Sequence, residues 1–126
     1  MAKVAFELEF IVRSSPTILY EFVVTPTNLA QWFCEKCDSN GDLYTFKWKG
    51  QEDKAYLIDN LEDKLVAFQW VGTEDDEEFF EFAIQKNEIS GDTVLVVTDF
   101  AEPNEVEDMK MWWEDQIVKL KKMIGG

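Results

Sequence analysis

Residues 109–124 read MKMWWEDQIVKLKKMI, and their apolar side chains recur at the spacing of an α-helix. The intervals are four, four, three and four residues along the stripe Met109, Trp113, Ile117, Leu120 and Ile124. Since a helix has about 3.6 residues per turn, these side chains share one face. Asn104 is a suitable N-cap, and Gly125 is a suitable stop because glycine readily adopts the left-handed conformation that ends helices. The segment therefore predicts a long C-terminal helix whose apolar face needs a partner surface.

That partner surface is predicted upstream, where six segments alternate apolar and polar residues with the period of a β-strand. The first segment covers residues 3–13, and the other five lie within residues 43–100. Two short helices, each with a proline at its first position, start at Pro16 and Pro26. Residues 38–42 have the composition of a turn before the second strand. The order β-α-α-β-β-β-β-β-α predicts an α+β fold of one domain, residues 1–126, in which a curved six-stranded antiparallel sheet closes over the C-terminal helix.

The composition argues against several classes of function. Twelve basic and 26 acidic residues give a net charge of −14, which repels the phosphates of nucleic acids and anionic lipids. The chain has no histidine, which excludes Ser-His-Asp and Cys-His catalysis and histidine-bound zinc. No apolar run approaches the ~18 residues that span a bilayer, and no signal-peptide core follows Met1. We therefore expect a cytoplasmic, non-enzymatic protein that binds neither nucleic acid nor membrane and needs no cofactor.

Six short motifs in the same order resemble the START-like (SRPBCC) superfamily, which includes Bet v 1-like and Hsp90-activator-type (Aha1-like) domains. Residues 15–20 resemble the start of that superfamily's first helix, residues 25–33 its T-x-x-x-L-x-x-W-F segment, and residues 113–121 its closing helix. The resemblance is greatest to a small START-like family of Bacteroidetes, and the segments that carry it are residues 79–82, 97–101 and 110–113.

This resemblance implies the helix-grip fold, in which the long helix crosses the concave face of a strongly bent sheet. Relatives commonly bind apolar molecules between sheet and helix, and some are cyclases or partner-binding domains. The small bacterial family has no assigned activity. Because one fold hosts many functions, the resemblance alone does not choose among them.

The space between sheet and helix is the first candidate site. Inward side chains are expected from even positions of the strands and from the helix stripe: Phe46, Trp48, Phe68, Trp70, Phe80, Phe82, Phe100, Trp113, Ile117 and Leu120. These rings either interdigitate as a solid core or leave a cavity, which in ligand-binding proteins measures ~300–1,000 Å³. The candidate polar anchors for a small apolar or aromatic ligand are Tyr44, Tyr56 and Thr98.

Two other motifs carry weaker predictions. Cys34 and Cys37 have the C-x-x-C spacing of redox and metal sites, but the pair follows a helix and supplies only two of zinc's four ligands. We expect inert thiols, and the alternatives are a redox-sensitive pair or a metal shared across a dimer. The acidic run at residues 74–78 lacks the spacing of an EF-hand loop and predicts a solvated hairpin loop. No metal site is predicted.

Three functions remain open at this point. The first is a non-enzymatic domain that holds a small apolar ligand. The second is a protein-interaction module of the Aha1-like, chaperone-partner type, which Trp112, expected to be exposed, and the acidic run would favour. The partner is either another protein or, in a homodimer, a second copy of the chain. The third, a cyclase or lyase, would need a convergent set of carboxylates or tyrosines, and the sequence shows no such set.

Overall fold

The structure is a computed structural model that describes residues 3–72 and 78–125. Seven β-strands lie within those residues: β1 (Val4–Val12), β2 (Lys36–Asn40), β3 (Leu43–Trp48), β4 (Gln51–Leu61), β5 (Leu65–Trp70), β6 (Phe80–Lys86) and β7 (Thr93–Ala101). The helices are α1 (Pro16–Val24), α2 (Pro26–Leu29) and α3 (Val106–Ile124), and a 3-10 turn at Pro103–Glu105 precedes α3. The α+β class is confirmed, and the arrangement is consistent with the helix-grip fold.

All strands belong to one antiparallel sheet with the order β1-β7-β6-β5-β4-β3-β2. The prediction of six strands is wrong by one, because residues 36–40 form β2 where the sequence indicated a turn from residue 38. β2 pairs with β3, and the turn between them is only Gly41 and Asp42. Since β2 is an edge strand in which only Cys37 is buried, it has no apolar alternation that could reveal it.

α3 packs its predicted stripe against the sheet. Trp113, Ile117 and Leu120 are buried, and the ring centre of Trp113 lies 5.7 Å from that of Phe82 on β6. Gly125 ends the helix in the left-handed conformation, as predicted. The N-cap prediction is wrong: Asn104 lies inside the 3-10 turn, because Pro103 already fixes a helical φ one residue earlier.

The two short helices cover one end of the concave face. Ser15 caps α1 by accepting a hydrogen bond from the Ile18 backbone N–H at 3.2 Å, as the sequence indicated. Fully buried side chains of these helices and of the sheet form a region that we call the closed end: Leu19, Val23, Leu29, Phe82 and Leu95. This end of the molecule is a solid apolar core.

Among residues 3–72 and 78–125, no helix combines the length and apolar character needed to cross a membrane.

Candidate functional site

A cavity of about 600 Å³ lies where α3 begins, at the opposite end of the concave face from α1 and α2. The sheet contributes the last residues of β3, β5 and β7 and the first residues of β4 and β6. We call this region the open end. Its described lining residues are Lys3, Phe33, Trp48, Gln51, Asp53, Trp70, Glu78, Phe79, Phe80, Asp99, Phe100, Ala101, Glu105, Asp108, Met109, Trp112 and Trp113.

Tryptophan side chains form much of the apolar wall. Trp48 on β3 and Trp70 on β5 have ring centres 6.2 Å apart. On α3, the ring of Trp112 meets that of Trp113 edge to face, with centres 4.9 Å apart. The indole N–H of Trp48 donates to the Phe33 carbonyl at 2.9 Å, which fixes the orientation of that ring. The cavity therefore has aromatic side chains on both its sheet side and its helix side.

Asp99 on β7 is the main polar group among these rings. Its Oδ2 accepts a hydrogen bond from the Trp113 indole N–H at 2.9 Å, and its Oδ1 accepts one from the Phe100 backbone N–H at 2.7 Å. Burial raises the pKa of Asp99 above its ordinary value, and the two hydrogen bonds only partly oppose this effect. Each carboxylate oxygen keeps a second lone pair. Asp99 can therefore accept a further hydrogen bond in a fixed orientation.

Charged side chains surround the mouth of the cavity. Lys3 Nζ lies 3.0 Å from Glu78 Oε1, and this contact raises the pKa of the Lys3 ammonium. Three more carboxylates, those of Asp53, Glu105 and Asp108, belong to the lining. The polar part of the open end is thus rich in hydrogen-bond acceptors and negative charge.

The ten residues predicted to line the space between sheet and helix divide into two groups. Five border the cavity, namely Trp48, Trp70, Phe80, Phe100 and Trp113. The other five are buried outside the cavity lining, namely Phe46, Phe68, Phe82, Ile117 and Leu120. The concave face therefore contains a solid core and a cavity side by side.

Phe100 borders the cavity at the end of β7, but it does not do so from the inner face of the strand, as predicted. Val97 on β7 pairs with Phe82, which faces α3, and the unbroken register of β7 puts Asp99 on the same face and Phe100 on the other. The ring of Phe100 packs against Phe79, with centres 5.1 Å apart. Residues 94–97 are all apolar, so the alternation in this strand did not show which face is buried.

The three candidate polar anchors do not line the cavity. Tyr44 is buried and its hydroxyl donates to the Val24 carbonyl at 2.7 Å, while burial raises its pKa to about 12. Tyr56 is exposed on β4, and Thr98 shares the outer face of β7 with Phe100. Asp99, and none of these three residues, borders the cavity.

The sequence patterns did not reveal Asp99 as a residue of the cavity, and the exposure predicted for Trp112 is wrong. A charged residue that interrupts the apolar run of β7 was the available signal for Asp99. Trp112 was expected to be exposed, but it is half-buried, with its ring centre 5.9 Å from that of Phe33. Trp112 directly precedes Trp113 of the apolar stripe, and its large ring can reach the edge of that stripe. This position was the available signal that Trp112 would be partly buried.

The cysteine pair lies within the described residues, whereas most of the acidic run does not. Cys34 and Cys37 are free, buried thiols, and the hydrogen bond between them lowers the pKa of Cys34 and raises that of Cys37. In the described segments, no group of three or more His, Cys, Asp or Glu side chains is arranged to hold a metal. Residues 74–77 of the acidic run lie outside the described residues, whereas Glu78 borders the cavity.

A family model for the START-like superfamily domain matches residues 1–126. The chain belongs to this superfamily. The resemblance carried by the six motifs is thereby confirmed. No match was found among the curated proteins.

Solved structures of similar fold include three informative relatives. A Bacteroides fragilis protein, determined in solution by NMR, is 33% identical over 98% of this chain and 92% of its own, with a TM-score of 0.70. The Aha1 dimer of Colwellia psychrerythraea has a TM-score of 0.81 at 17% identity, covering 96% of each chain. CalU16 of Micromonospora echinospora has a TM-score of 0.73 at 12% identity, covering 97% of this chain and 74% of its own. At the two lower identities the likeness shows the fold alone.

Proposed function

We propose that this START-like domain binds a small molecule with an aromatic or apolar body in the cavity at its open end. The observation that carries the proposal is the cavity itself: about 600 Å³, bordered by four of the chain's five tryptophans. This volume lies within the ~300–1,000 Å³ typical of ligand sites, which are mainly apolar with a few oriented polar groups.

Hydrogen bonds fix two of the indole rings in the cavity wall. The indole of Trp48 is fixed by the Phe33 carbonyl, and the indole of Trp113 is fixed by Asp99. Closing the space by ring movement would break these bonds and leave buried polar groups without partners, which costs about 1–3 kcal/mol each. A ligand fills the space without that cost, and flat rings give it large contact areas.

A fluorescent probe tests the proposal directly. N-phenyl-1-naphthylamine is uncharged, has two linked aromatic units and emits strongly only in apolar surroundings. We expect saturable binding of this probe to the native protein, and weaker binding to Trp112→Ala. The matched control is Met111→Ala, which removes the neighbouring exposed side chain on α3 and leaves the cavity lining intact. Absence of saturable binding, or equal loss in both variants, would contradict the proposal.

A second candidate function is self-association. The structural likeness to the Aha1 dimer favours it, and so do three large apolar side chains exposed on β4, those of Tyr56, Ile58 and Leu61. Sedimentation velocity over a range of protein concentrations tests this candidate. A dimer that dissociates on Ile58→Lys supports it, whereas a monomer at every concentration excludes it.

A further inference from the structure

We propose that the molecule bound in the cavity is an organic cation, in which an ammonium group is attached to the aromatic or apolar body. The inference rests on the proposed function and adds the charge of the ligand to it. Its starting point is the set of charged side chains that border the cavity in the described part of the chain. One is the cation Lys3, and five are carboxylates: Asp53, Glu78, Asp99, Glu105 and Asp108.

The single lining cation is already engaged. Lys3 Nζ lies 3.0 Å from Glu78 Oε1, and the Glu78 side chain is largely buried. The ammonium of Lys3 is thus held at the mouth of the cavity by its ion pair. The remaining carboxylates keep the cavity negative.

Among the five carboxylates, Asp99 is the one that we expect to interact most strongly with a charge on the ligand. It lies among Trp113, Phe80 and the end of β7, where a carboxylate loses much of its hydration. Its two hydrogen bonds, from Trp113 and Phe100, are both from uncharged donors. Lys3 also attracts Asp99, but no cationic group donates a hydrogen bond to this carboxylate among the contacts described, and an ammonium group beside it would add a charge-assisted hydrogen bond.

The aromatic walls favour the same chemistry. The face of an indole ring carries partial negative charge and attracts a cation within about 6 Å, and tryptophan does so more strongly than the other aromatic residues. Trp48, Trp70 and Trp112 place three indoles around the cavity. Carboxylates and indoles together disfavour an anion and favour an ammonium.

Apart from Lys3, which is paired with Glu78, the positive end of the α3 dipole is a feature of this cavity that would favour an anion. It is equivalent to about half a charge and acts over the first turn of the helix. Glu105, Glu107 and Asp108 lie at that turn and offset it. The whole chain carries a net charge of −14, so the long-range field also attracts cations and repels anions.

Three probes of nearly equal shape test the inference by isothermal titration calorimetry. They share a naphthalene body and differ in charge: 2-naphthylmethylamine is a cation near neutral pH, 2-naphthalenemethanol is neutral and 2-naphthoate is an anion. We expect the amine to bind about tenfold or more tightly than the alcohol, a difference of ~1.4 kcal/mol. The anion should bind most weakly, and added sodium chloride should weaken only the amine.

Two carboxylate variants locate the charge effect. Asp99→Asn should bring the amine affinity close to that of the alcohol and leave the alcohol affinity within about twofold, a change of roughly 0.4 kcal/mol. Asp115→Asn on the exposed face of α3 removes the same charge away from the cavity and should change neither affinity. Should Asp99→Asn fail to fold, Asp108→Asn at the mouth of the cavity provides the same test with a smaller expected loss.

The outcomes separate the two proposals. If the alcohol binds and the amine binds no more tightly, the inference of a cationic ligand is wrong and the proposed function stands. If none of the three probes binds, the proposed function fails. If the anion binds most tightly, the charge assignment of the site is reversed.

Discussion

The closed and open ends of the concave face are built from the same kinds of strand but have different interiors. At the closed end, α1 and α2 add Leu19, Val23 and Leu29 to the rings of the sheet, and these flexible aliphatic side chains fill the gaps between flat rings. At the open end the covering helix is the start of α3, which contributes tryptophan rings and carboxylates instead of small aliphatic side chains, and a space remains between them and the sheet. Periodicity in a strand thus selects which side chains face inward, whereas the layer above them decides whether they form a core or a cavity.

The largest expected loss of stability is that of Phe82→Ala, at the closed end. The Phe82 ring is fully buried and contacts those of Trp32, Phe33 and Trp113 at centre distances of 5.7–6.3 Å. Since removing a buried ring leaves a hole in a tightly packed region, we expect the free energy of unfolding to fall by about 3–5 kcal/mol. Urea unfolding followed by circular dichroism measures this free energy for both proteins.

The matched control for this variant is Phe79→Ala. Phe79 is half-buried just before β6, at the edge of the open end, and its ring contacts that of Phe100, so the same change should lower the free energy of unfolding by clearly less. Equal losses in Phe79→Ala and Phe82→Ala would mean that the closed end is not more tightly packed than the rest of the sheet.

A smaller effect is expected for Trp113→Phe, which keeps an aromatic ring and removes the indole donor to Asp99. Hydrogen bonds to charged groups contribute roughly 1.5–3 kcal/mol, so the free energy of unfolding at neutral pH should fall by about that amount. Trp32→Phe is the comparison at the closed end, because its indole donates at 2.8 Å to the uncharged Phe22 carbonyl. We expect a loss of only about 0.5–1.5 kcal/mol there. A larger loss for Trp32→Phe would contradict the role given to Asp99.

The smallest expected effect is a pH dependence that arises from Asp99. Burial raises its pKa in the folded protein above the ordinary 3.8, in an environment that also contains Lys3 and Glu78. The folded state therefore holds the proton more tightly than the unfolded state does. The stability from this linkage is complete below pH ~4 and is lost as the pH rises through the raised pKa.

The difference in unfolding free energy between the native protein and Asp99→Asn isolates this contribution from the other acidic residues. Relative to the variant, the native protein should lose stability as the pH rises from below 4 towards neutrality. Thermal unfolding of both proteins across this pH range provides the measurement. A difference that stays constant, or changes in the opposite direction, would show that Asp99 is not desolvated.

Most of the fold could be predicted because its elements carry strong periodic signals. α1 begins with a serine cap and a proline, α3 has an apolar stripe and a glycine stop, and most of the strands alternate apolar and polar residues. β2 could not be found in this way, since a solvated edge strand is held by backbone hydrogen bonds and needs no apolar pattern. Likewise, Asn104 is a residue type that often caps helices. The proline before it begins a 3-10 turn, so Asn104 lies inside that turn and not at the cap position.

The candidate site was less predictable than the fold. The aromatic lining at Trp48, Trp70, Phe80 and Trp113 followed from alternation, but alternation does not fix which face of β7 is buried. Asp99 could be recognised only once the register with β6 and the neighbouring Trp113 were known. Polar groups in a cavity depend on contacts between distant parts of the chain, so local patterns do not reveal them.

The indole N–H signals in a ¹H–¹⁵N NMR titration with 2-naphthalenemethanol test the central claim most directly. The five tryptophans give one signal each; Trp48, Trp70, Trp112 and Trp113 border the cavity, while Trp32 lies outside its lining and serves as an internal control. We predict saturable shifts of the four cavity signals with one dissociation constant, and a stationary Trp32 signal. Four stationary cavity signals at saturating probe, or a response of Trp32 alone, would contradict a ligand site at the open end.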